Sequence, residues 1–167
     1  DNDMFGLKDK TGITAWAAAL KACTSITELN LAKNDINAND TKILAPAISD
    51  MGAISSVNLL ENGICTDQAK KLVGTLKEHP TLKSLCGNKG NETELDMSGK
   101  MRGAGDAIML VPEIVDNGAV SQFTFSGDSY ESKPVTMETS MVEADFSGKH
   151  LGVSGAIMLS AFLPKCM

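Results

Sequence analysis

The residue groups able to do chemistry are few, and each has a structural reading close at hand. Ser98-Gly99-Lys100 and Ser147-Gly148-Lys149 combine a hydroxyl, a glycine and an ammonium, the ingredients of a phosphate cradle. They recur at an offset of 49 residues, at equivalent places in two similar stretches, which marks a turn repeated by the architecture. Gly87-Asn88-Lys89-Gly90-Asn91 lacks the Gly-Lys-Ser/Thr ending and the strand–helix context of a phosphate loop. His79 precedes Pro80 at a helix end, where a cation offsets the helix dipole, and His150 lies in a turn. Neither stands in a recognised motif with a Ser or Cys nucleophile. Glu94 and Asp96, two apart on a strand, share one solvated face. Cys23, Cys65, Cys86 and Cys166 form no CxxC pair, and two histidines supply no zinc spacing. The expectation is a protein that is no enzyme, with no cofactor and no metal.

Composition narrows the partners. The 167 residues suit one domain, and 43% hydrophobic content is enough for a sizeable core. With a net charge of −6 and Arg102 the single arginine, no basic stripe is present to displace counterions from phosphates, so nucleic acid is not the expected partner. The acidic balance favours a basic one. Apolar stretches fall far short of the ~20 residues that span a bilayer, and no signal-like segment opens the chain. A chain starting at Asp1 reads as a processed product or an expressed fragment. Reduced thiols and a cytoplasmic location are expected from cysteine usage. Asn39-Asp40-Thr41 and Asn91-Glu92-Thr93 match the glycosylation triplet but read as chance occurrences.

These residues must be positioned by elements that the chain repeats. Ile26-Thr27-Glu28-Leu29-Asn30-Leu31 aligns with Ile54-Ser55-Ser56-Val57-Asn58-Leu59 at an offset of 28, and Asn34, Ile36, Leu44 and Ile48 fall on Asn62, Ile64, Leu72 and Leu76. Trp16 and Leu20 sit one period earlier. At the offset of 49, Glu94 to Lys100 aligns with Glu143 to Lys149, and Ala107 to Leu110 with Ala156 to Leu159. Val120 to Phe125 restores the strand pattern between them. An LxxLxLxxNxI pattern followed by an amphipathic helix resembles the ribonuclease-inhibitor-like class of leucine-rich repeats. The resemblance is strong over 26–85 and irregular over 93–125 and 143–163. It implies an α/β solenoid, with parallel concave strands and convex helices, that binds proteins.

The expected organisation is a single domain over 1–167: a cap or truncated repeat at 1–25, then repeats at 26–53, 54–81, 82–119, 120–142 and 143–167, with five or six parallel strands. Apolar positions such as Leu44, Ala47 and Ile48, or Ala69, Leu72, Val73 and Leu76, make one stripe at the helical period. Asn39 or Asp40, and Thr66 or Asp67, are the expected helix caps. Asn34 and Asn62 are expected to bond turn backbone. The pattern breaks after Leu85 and after Phe125. There, either irregular extended crossovers or a hairpin with antiparallel neighbours is expected, and 127–141 reads as a loop. An apolar helix directly before Cys166-Met167 is either a cap or the start of further repeats.

Strand alternation sends Glu28, Asn30, Ser56, Asn58, Ser84, Cys86, Glu94, Asp96, Gln122, Thr124, Glu143 and Asp145 outward, with Lys33, Leu60 and Glu61 at the rim. The candidate binding residues are Glu28, Asn30, Ser56, Asn58, Glu94, Asp96, Gln122, Thr124, Glu143 and Asp145, together with Tyr130 as a loop anchor. The expected function is a non-catalytic protein–protein interaction module with a concave, acidic surface. The alternatives are a regulator of an enzyme such as a small GTPase, as the resemblance implies, or a structural fragment of a larger repeat protein.

Overall fold

A computed structural model describes residues 11–166; residues 1–10 of the expected cap, and Met167, lie outside the described residues. Helix α1 spans Thr11–Ala22, α2 Ala38–Ser49, α3 Thr66–Glu78, α4 Ala104–Asp116 and α5 Gly152–Phe162, the last followed by a 3-10 turn over Leu163–Cys166. The strands are β1 Glu28–Asn30, β2 Ser56–Asn58, β3 Glu94–Met97, β4 Gln122–Phe125 and β5 Val135–Glu138. Each helix forms where apolar residues recur three and four apart, and it buries that stripe: Leu44, Ala47 and Ile48 in α2, Ala69 and Leu72 in α3. The α2 cap is Asn37 rather than Asn39 or Asp40. Its side chain accepts from the Asn39 and Asp40 N–H groups, and Asp40 accepts from the Asn37 N–H in return. Helix α3 begins at Thr66 itself, after Cys65, with no side-chain cap, so Thr66 and Asp67 lie inside the helix instead of capping it. None of the helices among the described residues is long and apolar enough to cross a membrane.

The sheet corrects the horseshoe. β1 and β2 pair in parallel, with Leu29 opposite Val57, and β3 and β4 pair in parallel, with Leu95 opposite Phe123. These form two small sheets, of two and three strands, rather than one continuous parallel sheet of five or six. Residues 82–86 contribute only single bridges, Ser84 to Ser56 and Cys86 to Asn58. The segment read as a loop after Gly127 contains β5, which runs antiparallel to β4 and closes the second sheet. Residues 143–146, expected as a further strand, form none. Among the described residues the architecture is therefore α/β with five helices and two sheets, not a solenoid.

The break has a local cause. Only about ten residues separate Leu85 from Leu95, too few for the crossover of a dozen or more that parallel neighbours need. Gly87 and Gly90, at φ 79° and 81°, turn the chain away. The Leu85 and Cys86 N–H groups, which a neighbouring strand could have accepted, instead donate to one carboxylate oxygen of Glu113 in α4, at 2.6 and 2.9 Å. A side chain ends the ladder where a strand would have continued it.

One apolar core runs through both halves. Ile36, Leu44, Ile48, Met51, Ile54, Val57, Leu59 and Leu72 fill the space around β1 and β2. Around β3–β5 lie Met97, Met109, Leu110, Ile114, Met137 and Met158, with Phe123 stacked on Phe125 at 5.0 Å and beside Phe162 at 5.7 Å. Each such side chain contributes about 1.5–3 kcal/mol on leaving water. The halves meet where α4 starts against the loop after β2. A Cβ at Gly105 would stand 2.0 Å from the Ile64 carbonyl oxygen, so only glycine permits that approach.

Candidate functional site

Alternation along β3, β4 and β5 divides the second sheet into two faces. Leu95, Met97, Phe123, Phe125, Val135 and Met137 are buried on one. The other carries Glu94 beside Gln122 beside Glu138, and Asp96 beside Thr124 beside Thr136. Four of the expected binding residues therefore share one face, and the antiparallel strand adds Thr136 and Glu138 to it. The Thr124 and Thr136 hydroxyls meet at 2.9 Å. The Ser98 hydroxyl and backbone N–H both donate to Asp96, and hold its carboxyl below the ordinary carboxylate value. None of Glu94, Asp96 and Glu138 is in an ion pair among the described residues.

Glu28, Asn30, Ser56 and Asn58 come together on the first sheet, where they line a shallow cleft of about 320 Å³ with Leu29 and Gly87. The Asn30 and Asn58 side-chain oxygens accept from the Ala32 and Leu60 N–H groups, which leaves the amide N–H groups outward. Three expected residues fall elsewhere. Tyr130 is fully exposed in the turn before β5. Glu143 and Asp145 are exposed on a segment without strand pairing, so neither extends the acidic row. Asp145 accepts from the Ser147 N–H at 2.8 Å, just as Asp96 does from Ser98, and Gly99 and Gly148 both take left-handed φ values. The twin Ser-Gly-Lys stretches are turns. Nor is the Gly87–Asn91 run a free cradle: the Lys89 and Gly90 N–H groups already hold the Glu92 carboxylate. His79 accepts from the Thr81 and Leu82 N–H groups at the end of α3.

At the ends of β1 and β2 the chain turns through Lys33, Asp35 and Glu61, each in the left-handed region without being glycine. Asn62 holds this turn. Its oxygen accepts from the Asn34 and Ile36 N–H groups, and its amide donates to the carbonyls of Leu31, Leu59 and Leu60. Asn34 is half-buried and reaches only the Ala32 carbonyl. Lys33 pairs with Glu61 at 3.2 Å, and Arg102 pairs with Asp35, so two ion pairs tie the rim. These pairs are exposed and each adds little to stability.

Helix α4 carries two buried acids not singled out from the sequence, the first of them beneath that rim. Asp106 is 2% exposed and accepts the Arg102 N–H at 2.7 Å, while its other oxygen meets no partner. Burial, with a further push from the Glu61 charge, raises it to about 6 against donation from nearby backbone N–H groups. Glu113, two helical turns along the same face of α4, takes the Leu85 and Cys86 N–H groups, the Ser84 hydroxyl and the Asn88 amide. Burial pushes its pKa up and the four donors oppose the shift. Their signal was legible as charges on the apolar stripe of an otherwise greasy helix. All four cysteines are unpaired, and Cys86 is buried between these acids, with its thiol pushed well up by desolvation and then by Glu113. Among the described residues no cluster of His, Cys, Asp and Glu could hold a metal ion. No protein-family model, no curated protein and no solved structure matches the chain.

Proposed function

We propose that the chain is a non-catalytic protein-binding module whose contact surface is the outward face of the second sheet. The carrying observation is that Glu94, Asp96 and Glu138 project from one side of a three-stranded sheet, none of them in an ion pair among the described residues, with the Lys100 ammonium held on the Asp96 carbonyl at 2.7 Å. The opposite side of the same strands is fully committed to the core, which fixes the orientation of the outward row. Such a row suits a partner that brings lysines or arginines, because complementary charge speeds encounter and selects orientation. Gln122, Thr124 and Thr136 add neutral hydrogen-bonding groups between the acids. Tyr130 offers an aromatic anchor of the kind that dominates interface energetics.

The test is affinity capture from a cell extract with the wild-type chain and with E94K/D96K/E138K. These positions are exposed, so circular dichroism is expected to be unchanged, with a small drop in melting temperature from the lost Asp96–Ser98 bonds. A partner retained by the first and lost by the second supports the reading. A partner held equally by both defeats it.

A further inference from the structure

A second region inverts the charge of the molecule. Between the end of α3, the 82–90 segment and the end of α4 lies a cleft of about 410 Å³. Its floor includes Leu76, Leu82 and Pro112, and Lys77, Lys83 and Lys89 stand around it. The three lysines come from different parts of the chain, and none is in an ion pair among the described residues. In a protein of net charge −6, three lysines around a cleft lined by two acids, Glu113 and Asp116, leave a local excess of positive charge.

The acids nearby are largely spoken for. Glu113 gives its two oxygens to four donors, and Glu92 is gripped by the Lys89 and Gly90 N–H groups. Of the two acids on the lining, Asp116 is exposed as a countercharge, while Glu113 keeps its charge but turns both oxygens to its neutral donors. Lys77 stands in the last turn of α3, where it also serves that helix's dipole, whereas Lys83 and Lys89 belong to no helix and α4 has another cation at its end. Lys165 donates to the Val115 and Asn117 carbonyls at 3.2 and 2.9 Å. The cleft also exists for a structural reason. The sheet break leaves only the 87–93 loop where a crossover helix would otherwise pack, and that loop is pinned by Glu92 and by Asn88 on Glu113.

From this arrangement we infer that the cleft binds a small organic anion, a carboxylate, phosphate or sulfonate carried on an apolar body. The volume lies within the roughly 300–1,000 Å³ typical of small-molecule sites and is too small for a helix or a folded partner. The apolar floor takes the body of the ligand and the lysines its charge.

The probe is 8-anilinonaphthalene-1-sulfonate, followed by its fluorescence on titration into the folded chain. The expected result is saturable binding of one molecule per chain, weakened by added salt. K83E/K89E is expected to weaken it by about tenfold or more, since two attractions become repulsions. K42E/K149E, at lysines outside the cleft, is expected to leave it unchanged, with circular dichroism confirming that both variants are folded. N-phenyl-1-naphthylamine, the same body without the sulfonate, is expected to bind more weakly by a similar factor. Absence of saturable binding, equal binding to K83E/K89E, equal loss in K42E/K149E, or equal affinity for the uncharged probe would each overturn the inference. Phosphate- and carboxylate-bearing aryl compounds used as competitors then rank the headgroups.

Discussion

Replacing Asp106 by Asn isolates the cost of keeping a carboxylate under the rim. In the wild-type chain the group titrates at about 6 against an ordinary value of 3.8. Its folded value lies above its unfolded one, so between the two the native state holds more protons than the unfolded chain. Stability therefore falls as pH rises through that window and levels off above it. At about 1.4 kcal/mol per pKa unit, the full effect approaches about 3 kcal/mol. The variant has nothing to titrate there. A fixed offset from the new amide, whose N–H groups need acceptors, is the same at every pH. The stability of Asp106→Asn relative to wild type is thus expected to rise by up to about 3 kcal/mol between about pH 3.5 and about pH 7.5. Urea denaturation across that range, with the slope checked for constancy, measures it. A difference that stays flat with pH, within about 0.5 kcal/mol, would refute the assignment of a raised pKa to this buried acid.

Three further outcomes follow from the packing. Glu113→Ala strands four donors at the sheet break, two of them backbone N–H groups. It is expected to cost about 3 kcal/mol or more in chemical denaturation; a loss below about 1 kcal/mol would show that water replaces the carboxylate freely. Asn62→Ala leaves five backbone bonds unmade around the left-handed turn, so a loss of about 2–4 kcal/mol is expected, with faster amide exchange at Asn34 and Ile36. Gly105→Ala places a methyl against the Ile64 carbonyl and forces α4 from the loop after β2. A drop of about 2 kcal/mol is expected from thermal or urea melts, and an unchanged midpoint would contradict the close approach.

The local elements were legible because their causes are local. Apolar spacing marked the helices over Leu44–Ile48 and Ala69–Leu76, and two-residue alternation marked Leu29, Val57, Leu95 and Phe123 as inward. The offset of 28 also reappears as register, Glu28 opposite Ser56 and Glu94 opposite Gln122. The outward placement of Glu94, Asp96, Gln122 and Thr124 followed from alternation alone.

How those strands assemble was decided in three dimensions. A repeat pattern specifies what each unit buries, but not whether the next unit arrives to pair with it. That depended on Glu113, which is distant in sequence and intercepts the Leu85 and Cys86 N–H groups, and on the turn that brings β5 back antiparallel to β4. It is also why Glu138 joined the acidic face while Glu143 and Asp145 did not. Side-chain periodicity is a property of each short segment, whereas a hydrogen-bonded ladder needs two segments at once. Whichever donor or acceptor reaches the open edge first ends it.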